Sequence, residues 1–407
     1  MAYLLDISRL VSRAGGGPFS GIDRVERAYL RAFLDREAEV YFLTRLPRAY
    51  GVLDRAGGAA FLEKLEGRAL WGRPGLYTLL SGIPPERKRV IADVARLSVA
   101  RGMARHLKDM LKRVTPGPVT YLNVGHSNLR QQVIDAVKQH EEGRFIAFVH
   151  DIIPIISPEF SRPEVAARFT QDMSRIALNA DGVIYNSDAT RQSTERYFAD
   201  IGRVPPAVVA HLGAGPDWAD APVTSHGADP KPYFVTVGTI EPRKNHVLLL
   251  ATWQDFVKTL PQNEIPALHI IGKRGWQNED VFRILDTDPM MGVHVFEHGD
   301  MGDEEARNLL ARSRGLLFPS HVEGFGMPLI EAARLGVPIL CGENALYHEF
   351  LNDYPLYLNV DNSYVWKKEI LERAGRNRES EAVRQARSRL VELPDWHGHF
   401  DRIFRFI

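Results

Sequence analysis

The sequence predicts an α/β protein made of two doubly wound domains, each with a largely parallel sheet. The chain has 407 residues, which is more than one hydrophobic core usually supports. Short apolar runs rich in β-branched residues alternate with longer segments of helical period, a pattern typical of βαβ units with strands buried on both faces. A stretch dense in Gly, Pro and small polar residues at 215–231 separates two series of such units, which indicates an interdomain linker.

The alternation is most regular in the second half of the chain. We predict five strands there, at Tyr233–Val237, Leu268–Ile271, Val293–Phe296, Leu316–Pro319 and Pro338–Cys341, with helices near 245–260, 278–286, 303–312 and 326–335. In the first half the predicted strands are Tyr3–Ile7, Val40–Leu43, Thr120–Val124, Phe145–Val149, Val183–Tyr185 and Ala207–Ala210. The predicted domains are residues 1–215 and 231–385, and we expect ligands at the carboxyl ends of their strands.

Composition narrows the function classes. The 51 Lys and Arg residues balance 51 Asp and Glu residues, so the whole chain gives no sign of a nucleic-acid partner. Cys341 is the single cysteine, which excludes an intramolecular disulfide and a cysteine-cluster metal site and suits a reducing compartment. The N-terminus lacks the pattern of a signal peptide, and no run approaches the roughly 18 apolar residues of a membrane span. We therefore expect a cytosolic protein, which can still lie against a membrane.

A glycine-containing motif follows the predicted strand Leu316–Pro319 and opens a helix. Gly324 and Gly326 let the backbone come close to a ligand, and the N–H groups of the helix start favour anionic or hydroxylated groups. Glu323 and Glu331 can both accept hydrogen bonds from a polyol lying over this helix start. The alternative is that Glu323 only complements the helix dipole and Glu331 is a surface residue.

A second motif leaves the strand Tyr233–Val237 and enters the next helix through Gly238, Arg243 and Lys244. Adjacent cations at the carboxyl end of a strand suit a diphosphate, since Arg offers a fork of donors and Lys a point charge. A solvated basic turn is the alternative. Metal binding is less favoured, because no cluster of His and Cys residues has ligand spacing.

Together the two motifs resemble the large family of retaining glycosyltransferases with the GT-B fold, usually called family 4 or group 1. The resemblance spans most of residues 230–345 and is carried by Gly-Thr-Ile-Glu-Pro-Arg-Lys-Asn and by two glutamates with seven residues between them. It implies two Rossmann-like domains facing a central cleft, with the C-terminal segment 386–407 crossing back to the first domain, and Trp396 packing at the hinge. One departure is Thr239, where many members carry an arginine.

The resemblance also implies roles for individual residues. Glu323 would contact the transferred sugar, Glu331 the ribose, and Arg243 with Lys244 the diphosphate. The implied donor-binding set is Gly238, Thr239, Arg243, Lys244, Glu323, Gly324, Phe325, Gly326 and Glu331.

In the first domain, His150 and Asp151 follow the predicted strand Phe145–Val149. A lone histidine is more often structural, and Asp151 could merely orient it, but the position coincides with a histidine that family members point at the donor sugar. The loop Gly15–Gly21 opens a helix and resembles the family's N-terminal loop near the phosphates and acceptor, which implicates Gly17, Gly21 and Arg24. A dinucleotide fingerprint is not favoured, because its glycine spacing and acidic ribose ligand are missing.

Residues 87–113 carry nine Lys or Arg against two acidic residues, with apolar residues at helical spacing. We predict a basic amphipathic helix, which can bind an anionic membrane surface or simply be solvated.

The predicted function is transfer of a hexose from a nucleotide diphosphate sugar to a hydroxyl of a saccharide or lipid-linked acceptor. The resemblance implies retention of anomeric configuration and no need for a metal or other cofactor. The segment around Glu323 is similar to bacterial mannosyl- and rhamnosyltransferases of surface polysaccharide synthesis, which suggests GDP-mannose as donor. The alternatives are a sugar-nucleotide epimerase or phosphorylase on the same architecture, and a non-catalytic sugar-nucleotide binding protein.

Overall fold

The computed structural model describes residues 1–17, 19–75, 84–115, 117–214, 231–375, 381–389 and 391–407. Backbone contacts divide the chain into two compact units. Unit 1 comprises Met1–His211 with Trp396–Ile407, and unit 2 comprises Leu212–Asp395. The predicted linker falls almost wholly on residues 215–230, which lie outside the described part of the chain.

Unit 1 contains an eight-stranded sheet with the order β4-β3-β2-β1-β5-β6-β7-β8. Its strands are β1 (Ala2–Asp6), β2 (Val40–Leu46), β3 (Ala49–Leu53), β4 (Ala100–Gly102), β5 (Val119–Asn123), β6 (Arg144–Val149), β7 (Gly182–Tyr185) and β8 (Ala207–Val209). Six neighbouring strands of this sheet pair in parallel, in the order β2, β1, β5, β6, β7 and β8. Strand β3 runs antiparallel to both β2 and β4. Every residue of β1 and of β5 is buried. This agrees with the apolar runs in the sequence, which predicted a sheet covered on both faces.

The helices of unit 1 cover both faces of this sheet. They are α1 (Ser8–Arg13), α2 (Gly21–Asp35), α3 (Arg55–Leu65), α4 (Pro85–Leu97), α5 (Leu107–Val114), α6 (Gln131–Lys138), α7 (Ile153–Ile156), α8 (Pro163–Asn179) and α9 (Asp188–Ile201). Short 3₁₀ turns occupy Ala104–His106 and Pro158–Phe160.

Unit 2 contains a six-stranded, all-parallel sheet with the order β11-β10-β9-β12-β13-β14. The strands are β9 (Tyr233–Val237), β10 (Ala267–Ile271), β11 (Val295–His298), β12 (Leu316–Phe318), β13 (Ile339–Gly342) and β14 (Leu356–Leu358). The helices are α10 (His246–Thr259), α11 (Glu279–Thr287), α12 (Asp303–Arg312), α13 (Met327–Arg334), α14 (Ala345–Leu351), α15 (Ser363–Gly375) and α16 (Glu381–Ser388), with a 3₁₀ turn at Pro242–Lys244.

The predicted strands are all present, with ends shifted by up to three residues. Three further strands, β3, β4 and β14, were not predicted. Each lies at or next to a sheet edge and two of them have three residues, so their sequences carry too few alternations to show a strand period.

The single basic helix predicted over 87–113 was wrong. The chain leaves α4 at Leu97, forms β4 against β3, and begins α5 at Leu107. The apolar residues of the pattern are buried inside unit 1, with Val90, Val94 and Leu111 each 0% exposed. These helices therefore present no apolar face to a membrane, and none of the described helices is long and apolar enough to span one.

The last helix, α17 (Trp396–Phe406), returns to unit 1, as predicted. Arg144 Nη1 donates a 2.8 Å hydrogen bond to the carbonyl of Ile407, and His399 Nε2 lies 2.9 Å from the Tyr29 hydroxyl. Trp396 stacks on Phe400 within the same helix. The rings of Phe400 and Phe404 lie 5.0 Å and 5.4 Å from those of Tyr29 and Phe33 in α2, so ring packing and hydrogen bonds together hold α17 on unit 1.

Candidate functional site at the sheet edge of unit 2

The two sequence motifs of unit 2 meet at the carboxyl edge of its sheet. Strands β9 and β12 are neighbours and parallel, so the segments that follow them emerge side by side. The segment after β9 contains the 3₁₀ turn Pro242–Lys244, and the segment after β12 leads to α13. The backbone N–H of His321 donates to the carbonyl of Arg243 at 2.8 Å, which joins the two segments directly.

Glu323 lies between the two cations of the first motif. Arg243 Nη1 donates to Glu323 Oε2 at 2.7 Å, and Lys244 Nζ donates to Glu323 Oε1 at 2.5 Å. The side chains of Glu323 and Lys244 are only 5% and 10% exposed, and that of Arg243 is 23% exposed. We call these three residues the charge cluster; it is a largely buried group of ions at the edge where ligands of such sheets bind.

Burial and ion pairing set the charges of this cluster. Burial alone would raise the pKa of Glu323, but Arg243 and Lys244 outweigh it and lower that pKa to about 2. Burial lowers the pKa of the Lys244 ammonium, and the neighbouring Glu323 carboxylate opposes this shift. Lys244 Nζ also lies 4.6 Å from the centre of the Phe318 ring, a cation–π contact that holds the ammonium in place.

Two glycines make room for the cluster. Gly238 follows β9 with a φ of 148°, and a Cβ there would stand 3.1 Å from Lys244 Cε. Gly326 precedes α13 with a φ of 88°, and a Cβ there would stand 3.2 Å from the Tyr347 ring. Side chains at either position would strain the backbone and displace neighbours of the charge cluster.

The other predicted donor residues lie around the same edge. Thr239 is exposed beside Gly238, while Gly324 is half-buried and Phe325 is buried and stacks on Phe350 at 4.8 Å. Glu331 lies in α13 and is 1% exposed, so it is not the surface residue that the alternative interpretation required. The roles assigned to these residues stay predictions.

Three residues of this edge were not singled out from the sequence. Glu241 Oε1 lies 2.6 Å from Arg243 Nε and adds a second carboxylate. The buried Tyr347 hydroxyl and both ring nitrogens of buried His246 have no hydrogen-bond partner among the described residues. Buried polar groups are normally satisfied, so atoms left without a partner beside a charge cluster indicate where a ligand or water would bind. Glu241 lies within the motif that leaves β9 and His246 lies at its end, whereas Tyr347 lies outside both motifs.

In unit 1, His150 follows β6 and is 5% exposed. Its Nε2 donates to the Val124 carbonyl at 2.7 Å, and its ring lies 5.1 Å from that of His126, which the sequence did not single out. Burial, with a smaller contribution from His126, lowers the pKa of His150 well below its ordinary value. The ring is therefore neutral near pH 7, and the proton on Nε2 leaves Nδ1 as an acceptor.

The acceptor-side residues predicted in unit 1 have local structural roles. Asp151 Oδ1 accepts from the Ile153 N–H at 3.0 Å and so caps the turn that follows. Gly17 has a left-handed φ of 87°, and Gly21 is the first residue of α2, with Arg24 in its first turn. Among the described residues, no three His, Cys, Asp or Glu side chains come together in a way that could hold a metal ion.

Comparison with known proteins agrees with the resemblance. Residues 223–366 match the family model described as glycosyl transferases group 1. The serotype-specific mannosyltransferase WbdA of Escherichia coli is 32% identical over 234 residues, which are 53% of this chain and 28% of that protein. The O-antigen chain mannosyltransferase B of Escherichia coli is 26% identical over 275 residues, 66% of each chain. The match thus spans little more than a quarter of the length of the first relative.

A solved structure shows the fold over the full length. Sucrose-phosphate synthase from Thermosynechococcus elongatus superimposes with a TM-score of 0.61 at 14% identity, covering 100% of this chain and 98% of that one. With two parallel-sheet units and this likeness, the fold class is GT-B. Residues 223–366 therefore match the family model of group 1 glycosyl transferases, in a chain of GT-B fold.

Proposed function

We propose that the protein is a retaining glycosyltransferase that moves a hexose from a nucleotide diphosphate sugar to a hydroxyl of a saccharide or lipid-linked acceptor. The observation that carries this proposal is the charge cluster of Arg243, Lys244 and Glu323, buried at the carboxyl edge of a domain that matches group 1 glycosyl transferases. An arginine and a lysine side by side suit a diphosphate, and a buried carboxylate suits sugar hydroxyls.

The two cations would stabilise the leaving diphosphate. As the bond between the anomeric carbon and the phosphate oxygen breaks, negative charge develops on that oxygen. Preorganised positive groups at such a position usually supply the largest electrostatic contribution to catalysis. Glu323 and Phe318 hold Arg243 and Lys244 at this edge, and we propose that these two cations take the part of a metal ion in the reaction.

Glu323 would change partners when the donor binds. In the structure its two oxygens accept from Arg243 and Lys244. A diphosphate bound to these cations would accept some of the hydrogen bonds that they now donate to Glu323. The carboxylate oxygens of Glu323 could then accept a hydrogen bond from a sugar hydroxyl. Because the pKa of Glu323 is lowered to about 2, the group is ionised throughout the physiological range and accepts rather than donates.

We propose attack on the same face as departure. The acceptor oxygen forms its bond to the anomeric carbon as the phosphate oxygen leaves, and the departing oxygen takes the acceptor's proton. The neutral His150 ring, fixed by the Val124 carbonyl, is assigned to the donor sugar, and Glu331 to the ribose. Accumulation of a covalent sugar–enzyme adduct would contradict this course.

Mannose is the proposed sugar and GDP-mannose the proposed donor, because two of the relatives bear the name mannosyltransferase. One of them is an O-antigen chain enzyme, which favours a surface polysaccharide as the product and the inner face of the cell membrane as the place of reaction. Any membrane contact of residues 87–113 would depend on exposed basic side chains such as Arg105 and Arg113, since Val90, Val94 and Leu111 of the predicted apolar face are buried.

The test is incubation of the protein with a panel of nucleotide diphosphate sugars without acceptor, with release of the nucleoside diphosphate as readout. We expect slow hydrolysis of one donor, GDP-mannose, and acceleration when a mannose-containing acceptor is added. Release of nucleotide that needs inorganic phosphate would instead indicate a phosphorylase, and epimerised sugar nucleotide would indicate an epimerase. Either outcome would overturn the proposal, as would binding of donors without turnover across many acceptors.

A further inference from the structure

Unit 1 contains a polar pocket of about 450 Å³ between α6 and α8. Its chemistry is dominated by three arginines, Arg130, Arg168 and Arg175, with a single carboxylate, Asp172. We call it the arginine pocket. Its volume is that of a small-ligand site, and six of its eight lining residues carry a guanidinium or an amide group. A ligand of this pocket is therefore hydrophilic and anionic.

The positive charge of the pocket is only partly neutralised. Arg175 Nη1 lies 2.6 Å from Asp172 Oδ1, and Arg168 Nε lies 3.9 Å from Asp172 Oδ2. In the described part of the chain, the Arg130 side chain has no ion-pair or hydrogen-bond partner. Three guanidiniums against one carboxylate leave two excess positive charges, which match the dianionic form of a phosphate monoester.

A buried hydrogen-bond chain fixes one wall of the pocket. Gln132 Nε2 donates to the Tyr50 hydroxyl at 3.1 Å, which donates to Asn128 Oδ1 at 3.1 Å. Asn128 Nδ2 in turn donates to Asp6 Oδ2 at 2.8 Å, at the end of β1. Asn128 and Tyr50 are buried, so the Gln132 side chain is anchored to the core of unit 1.

One helix of the arginine pocket, α8, is connected to the residues that follow β6. The His126 ring lies 5.1 Å from the ring of His150 and 5.8 Å from that of Phe169, the residue next to Arg168 on α8. Two ring contacts thus join the helix that carries Arg168 to His150.

We propose that the arginine pocket binds the phosphate of a phosphorylated saccharide, and that this saccharide is the acceptor. The first part depends on the pocket alone, whereas the second rests on the proposed function. Arg130 and Arg168 hold the phosphate through their forked donors, and the amide of Gln171 is available for the sugar hydroxyls.

The test compares binding of glucose 1-phosphate, glucose and inorganic phosphate by calorimetry. The protein is used as wild type and as the double variant Arg130→Gln with Arg168→Gln. Arg405→Gln is a matched control, because Arg405 is 78% exposed and pairs with Asp401 one helical turn away, as Arg168, 72% exposed, pairs with Asp172. Circular dichroism and melting curves establish that each variant is folded.

Wild type and Arg405→Gln should bind glucose 1-phosphate at least tenfold more tightly than glucose or inorganic phosphate, and the double variant should lose at least tenfold. Equal affinity of wild type and double variant would overturn the proposal. Inorganic phosphate bound as tightly as the sugar phosphate would also overturn it, since the pocket would then be an anion site without a sugar.

A second readout separates this proposal from the proposed function. Hydrolysis of the donor without acceptor should stay within twofold in the double variant, while the KM for a phosphorylated acceptor rises at least tenfold. A wild-type protein that hydrolyses no nucleotide sugar but still prefers the sugar phosphate would contradict the proposed function and leave the phosphate site standing.

Discussion

The guanidinium of Arg243 donates a 2.7 Å hydrogen bond to the carboxylate of Glu323, although 79 residues separate them in the chain. The contact exists because β9 and β12 are adjacent parallel strands, so that both motifs leave the sheet at the same edge. Lys244 reaches the other oxygen of the same carboxylate. The proposed function depends on this arrangement of two cations around one buried anion.

Replacing Glu323 by Gln should separate catalysis from nucleotide binding. The amide removes the anion that competes for Arg243 and Lys244, so a nucleoside diphosphate should bind at least as tightly as to wild type. Transfer should fall at least tenfold, about 1.4 kcal/mol of barrier, because the hydroxyl acceptor is weakened. Calorimetry with GDP and steady-state transfer rates measure the two effects. A variant with full transfer activity would show that Glu323 is not required.

From the lowered pKa of Glu323 we predict that the free energy of unfolding depends on pH. Its pKa is lowered from an ordinary 4.5 to about 2 in the folded protein. The ionised group stabilises the folded protein by about 3 kcal/mol, and this contribution is fully present above pH 4.5. It is lost as the pH falls toward 2, because the carboxylate is then protonated. Wild type should therefore lose more free energy of unfolding between pH 5 and pH 3 than Glu323→Gln does. Urea titrations at both pH values measure this, and parallel losses in the two proteins would contradict the pKa.

His150→Ala should lower transfer at least tenfold, because it removes the neutral ring that Val124 holds in place. His397→Ala is the control, since His397 is an exposed histidine on α17 in the same unit. Both variants should be compared with wild type by kcat at saturating donor. Near-normal kcat in a folded His150→Ala protein would assign the histidine a structural role.

Tyr347→Phe tests whether the unpartnered hydroxyl beside Gly326 faces a ligand. The hydroxyl is buried and unsatisfied among the described residues, so its removal should leave the melting temperature of the free protein unchanged or raise it. If a donor group satisfies this hydroxyl, the KM for the donor should rise several-fold. A fall in melting temperature with an unchanged KM would place the hydroxyl in an internal network instead.

Much of the fold was predictable because its signals are local. Apolar runs such as Tyr233–Val237 alternate with helical segments, and the rule that parallel strands end at one edge places the motifs after β9 and β12 together. The convergence of Lys244 and Glu323 follows from these two facts, whereas the roles of the predicted donor residues stay predictions.

The remaining features depend on contacts between distant parts of the chain. Helical spacing continues through Ala100–Gly102, and only pairing with β3 turns that segment into a strand. Tertiary packing decides that the Tyr347 hydroxyl has no hydrogen-bond partner among the described residues, and it connects Gln132 to Asp6 through Tyr50 and Asn128. No periodicity in the sequence carries such information.

The most direct test of the charge cluster is the affinity for a nucleoside diphosphate. The double variant Arg243→Gln with Lys244→Gln removes both cations, and Lys258→Gln removes an exposed lysine of α10 as a control. Calorimetry with GDP and UDP should show at least one nucleotide bound by wild type and by Lys258→Gln with equal affinity, and bound at least a hundredfold more weakly by the double variant. Equal affinity in all three folded proteins would contradict the assignment of this cluster to the diphosphate.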